Sequence, residues 1–145
     1  MLGFEIQETM SGYDDNGDPF EFNVTWGIDD WKNIGKRPVN FDLKGTVLFN
    51  NQICPCEGNL IIDYFETNSI KYNFNFIANI NSTNRKLIYI GEKINIKPWN
   101  LLTSHTTCFG VILGDYTKVL VIKTHTFFKL KTIPKFLFSF RLRRS

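Results

Sequence analysis

The chain has 145 residues and a formal net charge of +3; 43% of it is hydrophobic and 15% aromatic, with 14 Phe. That length suits one domain able to bury most of its apolar surface without disulfides or metals, and it excludes a second core of similar size. No apolar run reaches the ~18 residues that cross a bilayer, and MLGFEIQET carries acids where a signal peptide carries bases, so a cytoplasmic protein is expected.

In chain order, Leu2, Phe4, Ile6 and Met10 share one parity, which predicts a first strand over 2–12. Asp14-Asp15-Asn16-Gly17-Asp18 follows as a hairpin signal, because Asn-Gly tolerates positive φ. The second strand, 19–28, turns Phe20, Phe22, Val24, Trp26 and Ile28 inward; 29–38 has room for one helical turn around Trp31. The third, 39–50, alternates Val39, Phe41, Leu43, Gly45, Val47 and Phe49 against polar residues.

Asn50-Asn51-Gln52 and Cys54-Pro55-Cys56 are read as the next turn, leading to a strand over 59–66 in which Leu60, Ile62 and Tyr64 compete with Ile61 and Phe65 for the inner face. The clearest pattern is 70–80: Ile70, Tyr72, Phe74, Phe76, Ala78 and Ile80 at period two, a strand with one buried face. A turn at 81–84, a sixth strand over 87–97, a seventh over 105–114 and an eighth over 118–131 complete the series.

The three cysteines are a poor disulfide framework. Cys-Pro-Cys is also too closely spaced for the usual zinc ligand pair, so reduced thiols in a hairpin loop are expected.

Short turns between strands favour an up-and-down antiparallel path, and an open sheet of that size leaves two edges and one apolar face uncovered. The expected fold is therefore all-β, an antiparallel barrel of about eight strands with a short C-terminal helix. Charge supports closure. Residues 1–31 hold eight acids and no Lys or Arg, whereas 116–145 hold eight bases and no acid. With the first strand beside the last, Glu5 can face Lys123, Lys129 or Lys131.

The same basic third could bind nucleic acid, with Phe127, Phe128 and Phe136 for stacking, but the modest net charge and the fit of those rings to core positions argue against it. Beyond Pro134, residues 133–142 read either as a helix, with Ile133, Phe136, Leu137 and Phe140 on one face, or as a strand. The helix is preferred, since it could cap one barrel end; with three arginines following, peripheral contact with an anionic membrane is the alternative.

Polar residues of inward parity mark a possible interior site. Glu8 shares the parity of Phe4, Ile6 and Met10; Glu92 that of Ile88 and Ile90, although Leu87, Tyr89 and Gly91 would bring Lys93 inward instead. His105 and Thr107 share the parity of Phe109, Val111 and Leu113, and Thr124 that of Leu120 and Ile122. A carboxylate on an apolar face needs a partner, supplied by the protein or by a ligand. Trp99, after Pro98, is placed on a rim. No catalytic motif is present, and a three-residue spacing puts His105 and Cys108 on opposite faces of a strand.

The layout resembles lipocalin-like (calycin-type) barrels, without the Gly-x-Trp signature near the start. FEIQETMSGY (4–13), KGTV (44–47) and YIGEKINI (89–96) resemble the small β-domain that accompanies some bacterial cholesterol-oxidase-type flavoenzymes. The flavoenzyme's cofactor motifs are missing, so the resemblance implies an accessory-domain relative associated with lipids or sterols, without oxidoreductase activity.

The function expected from the sequence is non-enzymatic, cofactor-free binding of a small hydrophobic ligand such as a fatty acid or sterol. Trp26, Tyr72, Phe74, Phe76 and Trp99 would form the apolar wall, and Glu8, Glu92 or His105, with Thr107 and Thr124, would anchor a polar end. The alternative is a packed barrel that serves a partner protein as an interaction module. The chain is expected to be a monomer or weak dimer.

Overall fold

Period-two alternation and Asn-rich turns give the chain its strands. A computed structural model describes residues 2–30, 32, 38–63, 69–93, 107–114, 121–128 and 141–144; for 2, 4, 107, 121–128 and 141–144 it describes the backbone. Seven strands, β1 (Leu2–Asp14), β2 (Pro19–Ile28), β3 (Val39–Phe49), β4 (Gln52–Asp63), β5 (Ser69–Ile80), β6 (Thr83–Lys93) and β7 (Thr107–Gly114), pair antiparallel in sequence order. The sheet curls into a half-barrel. Among the described residues no helix is long and apolar enough to cross a membrane.

Two further stretches pair through the backbone. β8 (Val121–Phe128) lies between β7 and the end of β1, and β9 (Arg141–Arg144) runs beside the start of β1. Glu5 stands opposite Arg141, rather than opposite Lys123, Lys129 or Lys131. The helix expected over 133–140 lies outside the described residues, while Arg141 and Leu142, included in that reading, are extended.

Turn chemistry sets the register. Asp14 accepts from the backbone N–H of Asn16 (2.9 Å) and Asp18 (3.0 Å) through Oδ1, and Gly17 supplies a φ of 81°. The β3–β4 and β5–β6 hairpins turn on Asn50-Asn51 (φ 52° and 59°) and Asn81-Ser82 (52° and 67°). Two successive positive φ values give a turn whose twist suits the flanking strands. Ser82 bears the strain of the left-handed region without asparagine's local hydrogen bonding. Ser82→Gly is therefore expected to stabilise the protein by about 1 kcal/mol, read as a higher denaturant midpoint at unchanged slope.

The curl has a local cause. A methyl group at Gly45 would meet the Asn23 carbonyl and lie 2.7 Å from Val24 Cα; one at Gly58 would meet the Asn73 carbonyl and lie 2.6 Å from Phe74 Cα. Backbone comes that close only where strands coil sharply past each other.

The Cys-Pro-Cys segment is part of β4, not a hairpin loop: Cys54 and Cys56 point inward and Pro55 outward. Inward parity in β4 is even, with Gly58, Leu60 and Ile62 following; Tyr64 and Phe65 lie outside the described residues. Pro55 has no N–H to donate, and the β4–β5 ladder ends at Cys56 opposite Phe76. Beyond it the Gln52 side-chain amide takes over, accepting from Asn79 N–H at 2.8 Å and donating to Asn79 C=O at 2.6 Å.

The concave face is filled with rings. Phe22 on β2 reaches Tyr72 (5.2 Å) and Phe74 (5.5 Å) on β5 and Tyr89 (5.4 Å) on β6, while Phe20 reaches Tyr89 at 5.2 Å. Since β2 borders only β1 and β3, these contacts cross the interior. Tyr89 and Phe74 stack at 4.8 Å.

Tyr89 also explains the inner wall of β6 and β7. Gly91 and Gly110 are register partners, and a methyl group on either would come within 2.6 Å of the Tyr89 ring. The ring lies over the pair of glycines and supplies the apolar volume they lack. The wall there is accordingly small, with Cys108 and Ile112 buried, and the larger apolar residues face outward. Phe109, Val111 and Leu113, expected inside, are on the outer face; Phe109 is 55% exposed.

Candidate functional site

The inward carboxylate expected on β1 is buried, with Glu8 5% exposed. One partner comes from the neighbouring strand β2 and two from across the interior, on β5 and β6. Tyr72 on β5 donates its hydroxyl to Oε1 at 2.5 Å, the Trp26 indole N–H on β2 donates to the same oxygen at 3.1 Å, and Lys93 Nζ on β6 meets Oε2 at 3.2 Å. Lys93 is 2% exposed, and its ammonium lies 5.3 Å from the centre of the Tyr72 ring. A buried ion pair is tolerable only when both charges are hydrogen-bonded, and this one closes its requirements within the chain.

The cluster lies toward the end of the sheet where β2 and β6 finish and β3 and β5 begin. The opposite end is made by the hairpin turns at Asp14–Asp18, Asn50-Asn51 and Asn81-Ser82.

Three expected site residues, Glu8, Trp26 and Tyr72, are thus brought together. Phe74 and Phe76 are buried in the ring stack. Glu92 is not part of the cluster: β6 turns Leu87, Tyr89, Gly91 and Lys93 inward, and Glu92 faces out in register with Lys71 and Phe109. The residue the hydrophobic pattern under-weighted is Lys93, because Ile88 and Ile90 outweigh Leu87, Tyr89 and Gly91 in apolar content. Its signal was parity with Tyr89.

Trp99 and His105 lie outside the described residues, as do the side chains of Thr107 and Thr124. The odd parity of β7, on which His105 and Thr107 were expected to point inward, is the outer one where it is described, at Phe109.

Tyr89 and Cys108 share a hydrogen bond of 3.2 Å inside the sheet. Cys54, Cys56 and Cys108 are not joined in disulfides, and among the described residues no set of three or more His, Cys, Asp or Glu converges to hold a metal ion. Burial pushes the Cys56 thiol up to about 12 and raises Cys54. Burial first, then the Glu8 charge, hold the Tyr72 hydroxyl well above the ordinary tyrosine range, so it remains a donor.

These shifts set a pH dependence. The unfolded chain releases the Cys54 and Cys56 protons near pH 9.0 and the Tyr72 proton near 10.0, while the folded chain holds them to higher pH. Folded protein then binds more protons, so stability is full below about pH 9 and falls as pH rises above it. Urea midpoints across that range should decline, and Cys56 should resist thiol reagents until the protein is unfolded.

A concavity of about 710 Å³ is open to the outer surface, lined by residues that include Glu5, Asp29, Asp42, Lys44, Glu57 and Asn75. Comparison with protein-family profiles, with curated proteins and with solved structures returns no match to this chain.

Proposed function

We propose that this protein is a non-enzymatic, packed β-barrel that works as an interaction module for a partner protein. One observation carries the reading: rings from β2 touch rings from β5 and β6 across the interior, which leaves no room for an elongated apolar ligand at that level. In this reading β8 is the eighth stave, closing the wall between β7 and β1.

The contact surface is the outer face of β6 and β7. Volume taken inside by Tyr89 drives large apolar residues outward there, and cross-strand register sets Ile88 beside Leu113 and Ile90 beside Val111. Ile90 is 43% exposed, and Phe109 on the same face of β7 is 55% exposed. Outer positions on β1 to β3 are instead mostly polar. A concentrated apolar area on one side of a domain marks a surface that another molecule covers.

The test pairs extraction with capture. Organic extraction of the purified protein followed by mass spectrometry should yield no stoichiometric lipid, and fatty acids or sterols should not raise its melting temperature. The Ile90→Asp, Val111→Asp variant should melt like the wild type and lose proteins that the wild type retains. Recovery of one lipid per chain would return the reading to a carrier of a fatty acid or sterol, and identical retention by both chains would remove the proposed face.

A further inference from the structure

We propose that Trp26, Tyr72 and Lys93 form a carboxylate-binding site that Glu8 fills from within the chain. The donors come from three strands and address both oxygens of one carboxylate: Trp26 and Tyr72 at Oε1, Lys93 at Oε2. A neutral N–H, a neutral O–H and one ammonium give the set a single positive charge. That charge matches one carboxylate and does not balance a phosphate dianion.

Each donor is also fixed by contacts that do not involve Glu8. The Trp26 indole meets the Phe41 ring edge-on at 5.2 Å, the Tyr72 ring packs on Phe22 at 5.2 Å, and the Lys93 ammonium rests over Tyr72. Removing the Glu8 carboxylate therefore leaves a polar hole of carboxylate size, already lined with aimed donors. A buried site with that many polar partners and a positive charge does not stay empty. Glu8 is then a resident ligand, and the chemical class the site takes is a carboxylate. In the intact chain a carboxylate-ended molecule enters only by displacing Glu8 and loosening β1. This inference does not rest on the interaction-module reading, because the three donors address Glu8 in the same way whether the rest of the interior is packed or hollow.

The experiment is chemical rescue. Glu8→Ala is melted in increasing formate or acetate, with sodium chloride at matched ionic strength as control. Saturable stabilisation by about 3 °C or more in formate or acetate, and not in chloride, is expected. The wild type and Glu8→Gln, whose side chains occupy the hole, should not respond, and Glu8→Ala combined with Lys93→Met should lose the response. Equal shifts in chloride, no shift in Glu8→Ala, or a shift that survives removal of Lys93 would each overturn the assignment. Should Glu8→Ala fail to fold in plain buffer, refolding followed by circular dichroism decides: recovery in formate and not in chloride supports the site, and failure in both refutes it.

Discussion

Phe22→Ala should lower the unfolding free energy by about 3–5 kcal/mol, the range for truncating a fully buried aromatic whose neighbours cannot collapse into the space. Phe22 is fully buried, and its ring contacts Phe20 on its own strand as well as Tyr72, Phe74 and Tyr89 across the interior. Truncation removes apolar area and opens a void bounded by rings that are held elsewhere. Tyr89 is pinned over Gly91 and Gly110, and Tyr72 by its bond to Glu8, so neither can follow. A hollow barrel predicts something different: truncating a ring that lines a ligand cavity forfeits its transfer free energy without opening a new void, costing about 1.5–3 kcal/mol. Equilibrium urea unfolding of the two proteins separates these ranges. A cost in the lower range would withdraw the observation on which the packed-module reading depends, whatever binds the outer face.

Much of this arrangement was legible in the sequence, and the exceptions share one cause. In β2, β3 and β5 the large apolar residues are also the inward ones, so counting parity suffices: Phe20 to Ile28, Phe41 to Phe49 and Ile70 to Ala78 are placed as expected. Glu8 was legible for the same reason, as a carboxylate in an apolar row. β6 and β7 defeat the method because the interior there is filled from elsewhere. A side chain's size says how much volume it can occupy, but not how much is left by the opposite wall. With Tyr89 covering Gly91 and Gly110, the inner face needs small residues, and Cys108 and Gly110 satisfy it better than Phe109 or Val111. Glu92 and the inward parity of His105 and Thr107 were expected on the strength of apolar neighbours that point outward. Cys-Pro-Cys reads as a loop for a related reason. Proline argues against a strand locally, and only the Gln52–Asn79 amide pairing shows how the sheet continues past it.

Lys93→Met should cost about 3–5 kcal/mol, since it leaves the Glu8 carboxylate buried and without its counter-charge. Glu8→Gln should cost a similar amount by leaving the ammonium in the same position. The informative protein carries both changes. The introduced glutamine still offers an oxygen to Tyr72 and Trp26, the introduced methionine replaces most of the length of the lysine stem, and no net charge remains inside. Replacing a buried pair by neutral groups of like volume is often neutral or better, so the double variant should recover most of the loss, with a coupling of about 2 kcal/mol or more. The sign of what remains decides what the pair is for. If the double variant equals or exceeds the wild type, the ion pair is not kept for stability, and a specific role becomes the better account: fixing the register of β1 against β5 and β6, or holding a place for a carboxylate. If the two single losses simply add, Glu8 and Lys93 are compensated separately, and the geometry that joins them in one cluster has no energetic counterpart. Denaturant midpoints of the four proteins at pH 7, well below the range where buried thiols and Tyr72 influence stability, give the coupling free of those titrations.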